Sequence, residues 1–271
     1  MSLTLRRGFL LVEALCALAL MGVLAVAAVG ALRTAQRTLL TVERESRAQR
    51  AAREAVAVSV ALLREATDPQ VWGDTAIEFT ARIAASVSCD TLVGGTVLPP
   101  PTSYARGFSA IAQGIEYGDE LRWRDADPLT GHVMWRAERI DSVYALSAAA
   151  ACASGRFVDA VDAARPRIAL RLASRTMPPA GTPVRVGRRG RLALYGAGGG
   201  EWMLGWRRCA NGTCGVVQPV AGPLSSAARR GFRVALDSSA VGLEVRTRAV
   251  GAPASAPPIV LTRRVSRTDG F

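Results

Sequence analysis

Very few side chains in this sequence are spaced for bond-making chemistry. The single histidine, His132, excludes multi-histidine metal sites and any reaction that needs two imidazoles. It has no nucleophile at a telling spacing and reads as structural. Asp119, Glu120, Asp125 and Asp127 form an acidic cluster, but Asp125-Ala-Asp127-Pro-Leu-Thr-Gly131 has Leu129 where a calcium loop needs an oxygen ligand. A turn at Gly131 is the better reading. The run Gly196-Ala-Gly-Gly-Gly200 lacks the following Lys-Ser/Thr of a phosphate loop. Asn211-Gly-Thr213 fits a glycosylation acceptor and reads better as a turn. The expectation is a chain with no catalytic residues, no cofactor and no metal: not an enzyme.

Cysteine is the other reactive type. Cys209-Ala-Asn-Gly-Thr-Cys214 places Asn-Gly, which favours the positive φ angles of a tight hairpin, between two thiols, so a Cys209–Cys214 disulfide is expected. Cys89 with Cys152 follows by elimination. The rival is a four-thiolate zinc site, which ordinarily needs two close pairs where this sequence has one. Cys16 lies in an apolar run and reads as a small packing residue.

That run, Phe9 to Leu32, carries one charge, Glu13, and is long enough to cross a bilayer as a helix. Arg6 and Arg7 before it favour a cytoplasmic N-terminus, with the rest of the chain outside. A carboxylate there costs about 2–3 kcal/mol to insert and so calls for a partner. A cleavable signal is one alternative, since Ala25-Val26-Ala27 has a small-x-small pattern before Ala28; a plain anchor is another. Neither gives Glu13 a role.

The stretch Arg7-Gly8-Phe9-Leu10-Leu11-Val12-Glu13 resembles the processing signal of type IV pilins and type II secretion pseudopilins. The resemblance implies that a dedicated prepilin peptidase cuts between Gly8 and Phe9 and methylates Phe9, with Glu13 the fifth residue of the mature chain. It further implies other pilin or pseudopilin subunits and an inner-membrane assembly platform as partners, in a secretion pseudopilus or a type IV pilus. The new amine would lie about one helical turn from Glu13, and Glu13 could register one subunit on its neighbour's amine. Two unit charges about 4 Å apart attract by roughly 4 kcal/mol at an effective dielectric near 20. Leu192-Ala-Leu-Tyr195, Trp202-Met-Leu-Gly-Trp-Arg-Arg-Cys209 and Val217-Gln-Pro-Val-Ala-Gly-Pro-Leu224 are similar to minor pseudopilins of the J type and minor pilins of the W type. With the length, this favours a minor subunit that primes or caps a filament.

The positioning elements follow from periodicity. Of 271 residues, 49% are hydrophobic and 21% charged, a composition that folds. Residues 1–8 read as a leader, 9–32 as the span and 33–66 as its amphipathic continuation, with Leu32, Ala35, Leu39, Val42, Ala48, Ala52, Ala55, Ser59, Leu62, Leu63 and Ala66 on one face. Asp68-Pro69 ends the helix. Residues 67–271 form an extracytoplasmic head. Within it Ile77–Ser86 reads as helix, Gly94 to Pro101 as loop, Glu116–Arg124 and Val133–Arg139 as strands, and Ser142–Ala153 as helix. Strands are also expected around Ile168–Leu172, Trp202–Trp206 and Val241–Val245. The expected class is α+β: a long N-terminal helix packed on an antiparallel sheet, as in pilins.

Charge is uneven along the head. Residues 67–164 carry 7 arginines and 13 acids, and residues 165–271 carry 18 and 4, so the two parts stand at −6 and +14. Arg188, Arg189, Arg229, Arg230, Arg263 and Arg264 are the densest pairs. They are candidates for a basic patch facing DNA, anionic lipid or an acidic subunit, against a plain solvated strand face. No nucleic-acid motif surrounds them. A rival for the whole chain is an exported soluble protein with a cleaved signal.

Overall fold

The computed structural model describes residues 7–102, 109–126, 130–148, 151–152, 156–174, 176–210, 212–237, 239–253 and 255–266, with backbone alone for residues 7–10 and 227. The class is α+β. One helix, α1 (Arg7–Leu63), holds 57 residues and is about 86 Å long at 1.5 Å per residue. The rest is antiparallel sheet. The strands are β1 (Thr67–Trp72), β2 (Ala76–Val87), β3 (Asp90–Leu92), β4 (Gly95–Leu98), β5 (Ala110–Ile111), β6 (Glu120–Ala126), β7 (Val133–Leu146) and β8 (Arg167–Leu172). They continue with β9 (Pro183–Gly198), β10 (Glu201–Ala210), β11 (Thr213–Cys214), β12 (Gln218–Leu224), β13 (Phe232–Leu236), β14 (Ala240–Thr247) and β15 (Ile259–Ser266).

A 12-stranded sheet runs β1-β2-β9-β6-β7-β8-β4-β3, with β5 on β2 and a branch from β9 through β10 to β11 and β12. A second sheet is β13-β14-β15. The branch arises because β9 is shared along its length. Its first half pairs with β6, from Val184 to Gly187, and its second half with β10, from Gly190 to Gly198. Arg188 and Arg189 stand at the fork.

Two cores lie on either side of that fork. The first packs Ala52, Ala55 and Leu63 of α1 against Ile77 and Phe79 of β2, Leu192 of β9, Leu204 of β10 and the inner face of the second sheet. The other gathers Ile83, Leu121, Trp123, Ile140, Leu170 and Val186. Strands β2 and β9 pass through both. The register slips between Arg82 and Ala84, a bulge that turns β2 from one core into the other.

Three local expectations are overturned. Ile77–Ser86 is the long strand β2, not a helix, because Ile77, Phe79 and Ala81 alternate into the first core while β9 pairs along the strand. Gly94–Pro101 contains the buried strand β4. A Cβ on Gly95 would stand 2.3 Å from the Leu170 carbonyl, so glycine there allows close pairing with β8 rather than marking a loop. Ser142–Ala153 begins as the end of β7, which pairs with β8 as far as Leu146; residues 149–150 and 153 lie outside the described residues.

The single helical face expected from Leu32 to Ala66 is also two faces. Ala48, Ala51, Ala52, Ala55, Ser59 and Leu63 are buried in the head, whereas Leu32, Leu39 and Val42 are 60%, 69% and 59% exposed. Small residues let the helix lie close over the strands, and Ser59 satisfies its buried hydroxyl by donating to the Ala55 carbonyl at 2.7 Å.

Candidate functional site

The N-terminal part of α1 is the most unusual feature of the molecule. Residues 11–47 are exposed throughout, and the strongly apolar stretch of the helix is nowhere buried. By length and composition it can cross a membrane or serve as a signal anchor. Gly8 and Phe9 lie in the helical backbone, their surroundings not described; residues 1–6 lie outside the described residues. Glu13 is exposed on this apolar helix and has no partner among the described residues.

The arginines of the head are a different matter. Asp119, fully buried just before β6, accepts both ends of the Arg188 guanidinium, Nε to Oδ1 at 2.9 Å and Nη2 to Oδ2 at 2.8 Å. Arg208 of β10 reaches the same Oδ1 at 3.3 Å and also bonds Glu116. The Glu116 backbone N–H donates to Asp119 Oδ2 at 2.8 Å. One carboxylate therefore joins β9, β10 and the entry to β6 where the sheet forks. Bidentate Arg–carboxylate geometry is the strong form of such a bond. The hydrogen bonds to Asp119 hold Arg188's pKa above its ordinary value.

Glu78 plays the same part on β2. It accepts from Arg189 Nε at 2.7 Å and from Arg191 Nη2 at 2.9 Å. Burial pushes its carboxyl up, but the hydrogen bonds and charges of Arg191 and Arg189 more than offset this, and its pKa lies below the ordinary 4.5. Arg191 also lies over the Trp72 ring at 4.3 Å.

The six arginines of the expected basic patch are thus not one surface. Arg188 and Arg189, on β9, are held by Asp119 and Glu78, Arg229 and Arg230 sit in the turn before β13, and Arg263 and Arg264 lie on β15, with Arg264 bonded to Asp237 at 2.6 Å. The acidic and basic parts of the head meet each other. The bonds of Asp119, Glu116 and Glu78, and the 3.5 Å contact of Asp74 with Arg233, each cross from one part to the other. The sequence left this imbalance open between an outside partner and a solvated strand face, and did not suggest that the two parts pair with each other. The signal was present in the opposite signs of the two parts; their juxtaposition needed the fold.

Both disulfides are present. Cys209–Cys214 closes the turn between β10 and β11, with Cα atoms 4.0 Å apart, and Cys89–Cys152 ties the link between β2 and β3 to the segment after β7, at 5.2 Å. Cys16 is free. Glu78, Cys209 and Cys214 bring three potential metal-ligand atoms within 4.8 Å, but both sulfurs are in the disulfide and the carboxylate is occupied by two guanidinium groups. In the acidic cluster Glu120 bonds Arg122 and Asp125 bonds Arg136 at 2.5 Å, while Asp127 lies outside the described residues, as does Asn211. His132 is exposed in the turn before β7, its backbone N–H on the Thr130 hydroxyl. Compared with protein-family models, with characterised proteins and with solved structures, the chain matches none.

Proposed function

We propose that this chain is a minor subunit of a pilin-like filament, a type II secretion pseudopilus or a type IV pilus. On this reading it is held in a bacterial inner membrane by residues 9–32, with the head outside the cytoplasm. The observation that carries the reading is the continuity of α1: one unbroken helix runs from Arg7 to Leu63, bare and apolar at one end and embedded in a β-rich head at the other. A removable signal has no use for such continuity, since a cut before Ala28 leaves residues 28–47 as a bare helical stub. A filament subunit needs it, because the segment that bundles must carry the head rigidly.

In this reading the peptidase cuts between Gly8 and Phe9, and the methylated amine of one subunit meets Glu13 of the next. The head presents its surface to other subunits, and its size suits a priming or capping place. Nothing in the arginine network favours DNA as a ligand, since the central guanidinium groups already hold carboxylates. The test is the N-terminal mass of the protein extracted from membranes of its native host. N-methyl-Phe9 is expected. A chain beginning near Ala28 overturns the reading and points to an exported soluble protein.

A further inference from the structure

Between the span and the point where α1 enters the head, one largely apolar face is left uncovered by the described residues. Leu32, Ala35, Leu39, Val42 and Ser46 recur at alternating steps of three and four, the spacing of a left-handed coiled-coil seam. The same spacing continues down the span through Ala28, Ala25, Met21 and Leu18. At about 100° per residue the seam lies roughly 150° around the helix from Ala48, Ala52, Ala55 and Ser59, which carry the head. Among the described residues, the chain's own head does not cover it.

The charges beside the seam say what can. With Leu39 and Ser46 at position a and Val42 at d, Glu45 falls at g and Arg50 at the e position of the following heptad. In a parallel, in-register pair of helices, g of one helix faces that e of the other, so Glu45 meets Arg50 of a second copy, twice by symmetry. Both side chains are exposed, and neither has a partner within the chain among the described residues. We infer that this seam pairs α1 with α1 of a second copy of the same chain, parallel and in register, with the two heads facing away from each other. The inference rests on the proposed membrane anchoring only for the common direction of the two helices.

The experiment is cysteine cross-linking of the full chain in its host membrane, in a Cys16→Ala background. Leu39→Cys and Val42→Cys stand on the seam, and Arg37→Cys on the opposite side serves as control. Mild oxidation is expected to give a disulfide homodimer at 39 and 42, verified by mass, and little at 37. Arg50→Glu is expected to lower the yield at Val42→Cys about threefold, and Glu45→Arg added to it to restore the yield. Equal yields at 37 and 42, no dimer at 39 or 42, or a product joined to a different protein overturns the inference. Residues 39–50 persist whether the mature chain starts at Phe9 or near Ala28. The N-terminal mass therefore reports on the filament reading separately.

Discussion

At the scale of single residues, the head is organised by carboxylates that each hold two guanidinium groups. Glu78 is the one whose protonation is informative. Its pKa in the folded chain is below the ordinary 4.5, so the stability it contributes is fully present above that value and is lost as the pH falls through the folded pKa. Glu78→Gln is expected to cost about 1–3 kcal/mol at neutral pH, because Arg189 and Arg191 lose their counter-charge. The variant should also lose stability less steeply than the parent on acidification below pH about 4.5. Urea unfolding of the detergent-solubilised chain, followed by tryptophan fluorescence across a pH series, measures both. Parallel pH profiles for parent and variant would show that this pair is not proton-linked. These roles were only half legible in the sequence. Asp119 was visible as part of an acidic cluster, and Glu78 drew no notice at all, because a partner about a hundred residues away leaves no local pattern.

At the scale of elements, the two disulfides close loops of very different length. Cys89–Cys152 spans 63 residues and Cys209–Cys214 spans 5. In the chain-entropy view, removing the first costs about 4 kcal/mol and the second about 2 kcal/mol. The Cys89→Ser/Cys152→Ser pair is therefore expected to lower the melting temperature more than Cys209→Ser/Cys214→Ser, by calorimetry on purified protein; the reverse order would mean that strain or unfolded-state structure dominates. The same contrast explains what could be read from the sequence. Asn-Gly between two cysteines is a local signal, and the β9–β10 hairpin and strand β14 announced themselves by alternation. Strand β2 did not. Glu78 and Arg82 stand four apart like a helical ion pair, the bulge near Ile83 breaks the period of two, and β2 lies between β9 on one side and β1 and β5 on the other. Strand β4 was hidden by Gly95, whose lack of a side chain is what its pairing requires.

At the scale of the whole molecule, the helix has two separable jobs along its length. Residues up to about 47 touch little of the head, whereas Ala48–Leu63 fill its first core between β12 and the second sheet. A chain beginning at Arg33 is expected to be folded and resistant to limited proteolysis. A chain beginning at Glu65, stripped of Ala52, Ala55 and Leu63, should be degraded throughout and lose its β-sheet circular dichroism. Equal resistance of the two would mean that the β-rich part folds without the helix. The long helix and its apolar run were legible because they are periodic over many turns. The six-residue step from Val42 to Ala48 already breaks the spacing of three and four and divides the stripe into two faces; which face carries the head and which stays bare needed the fold. The fork in the sheet has a further consequence. Because β2 and β9 are structural members of both cores, neither half of the head can melt without withdrawing two strands from the other. The head is therefore expected to come apart under heat or denaturant in a single cooperative step, with equal calorimetric and van't Hoff enthalpies; two separate transitions would show that the cores melt independently.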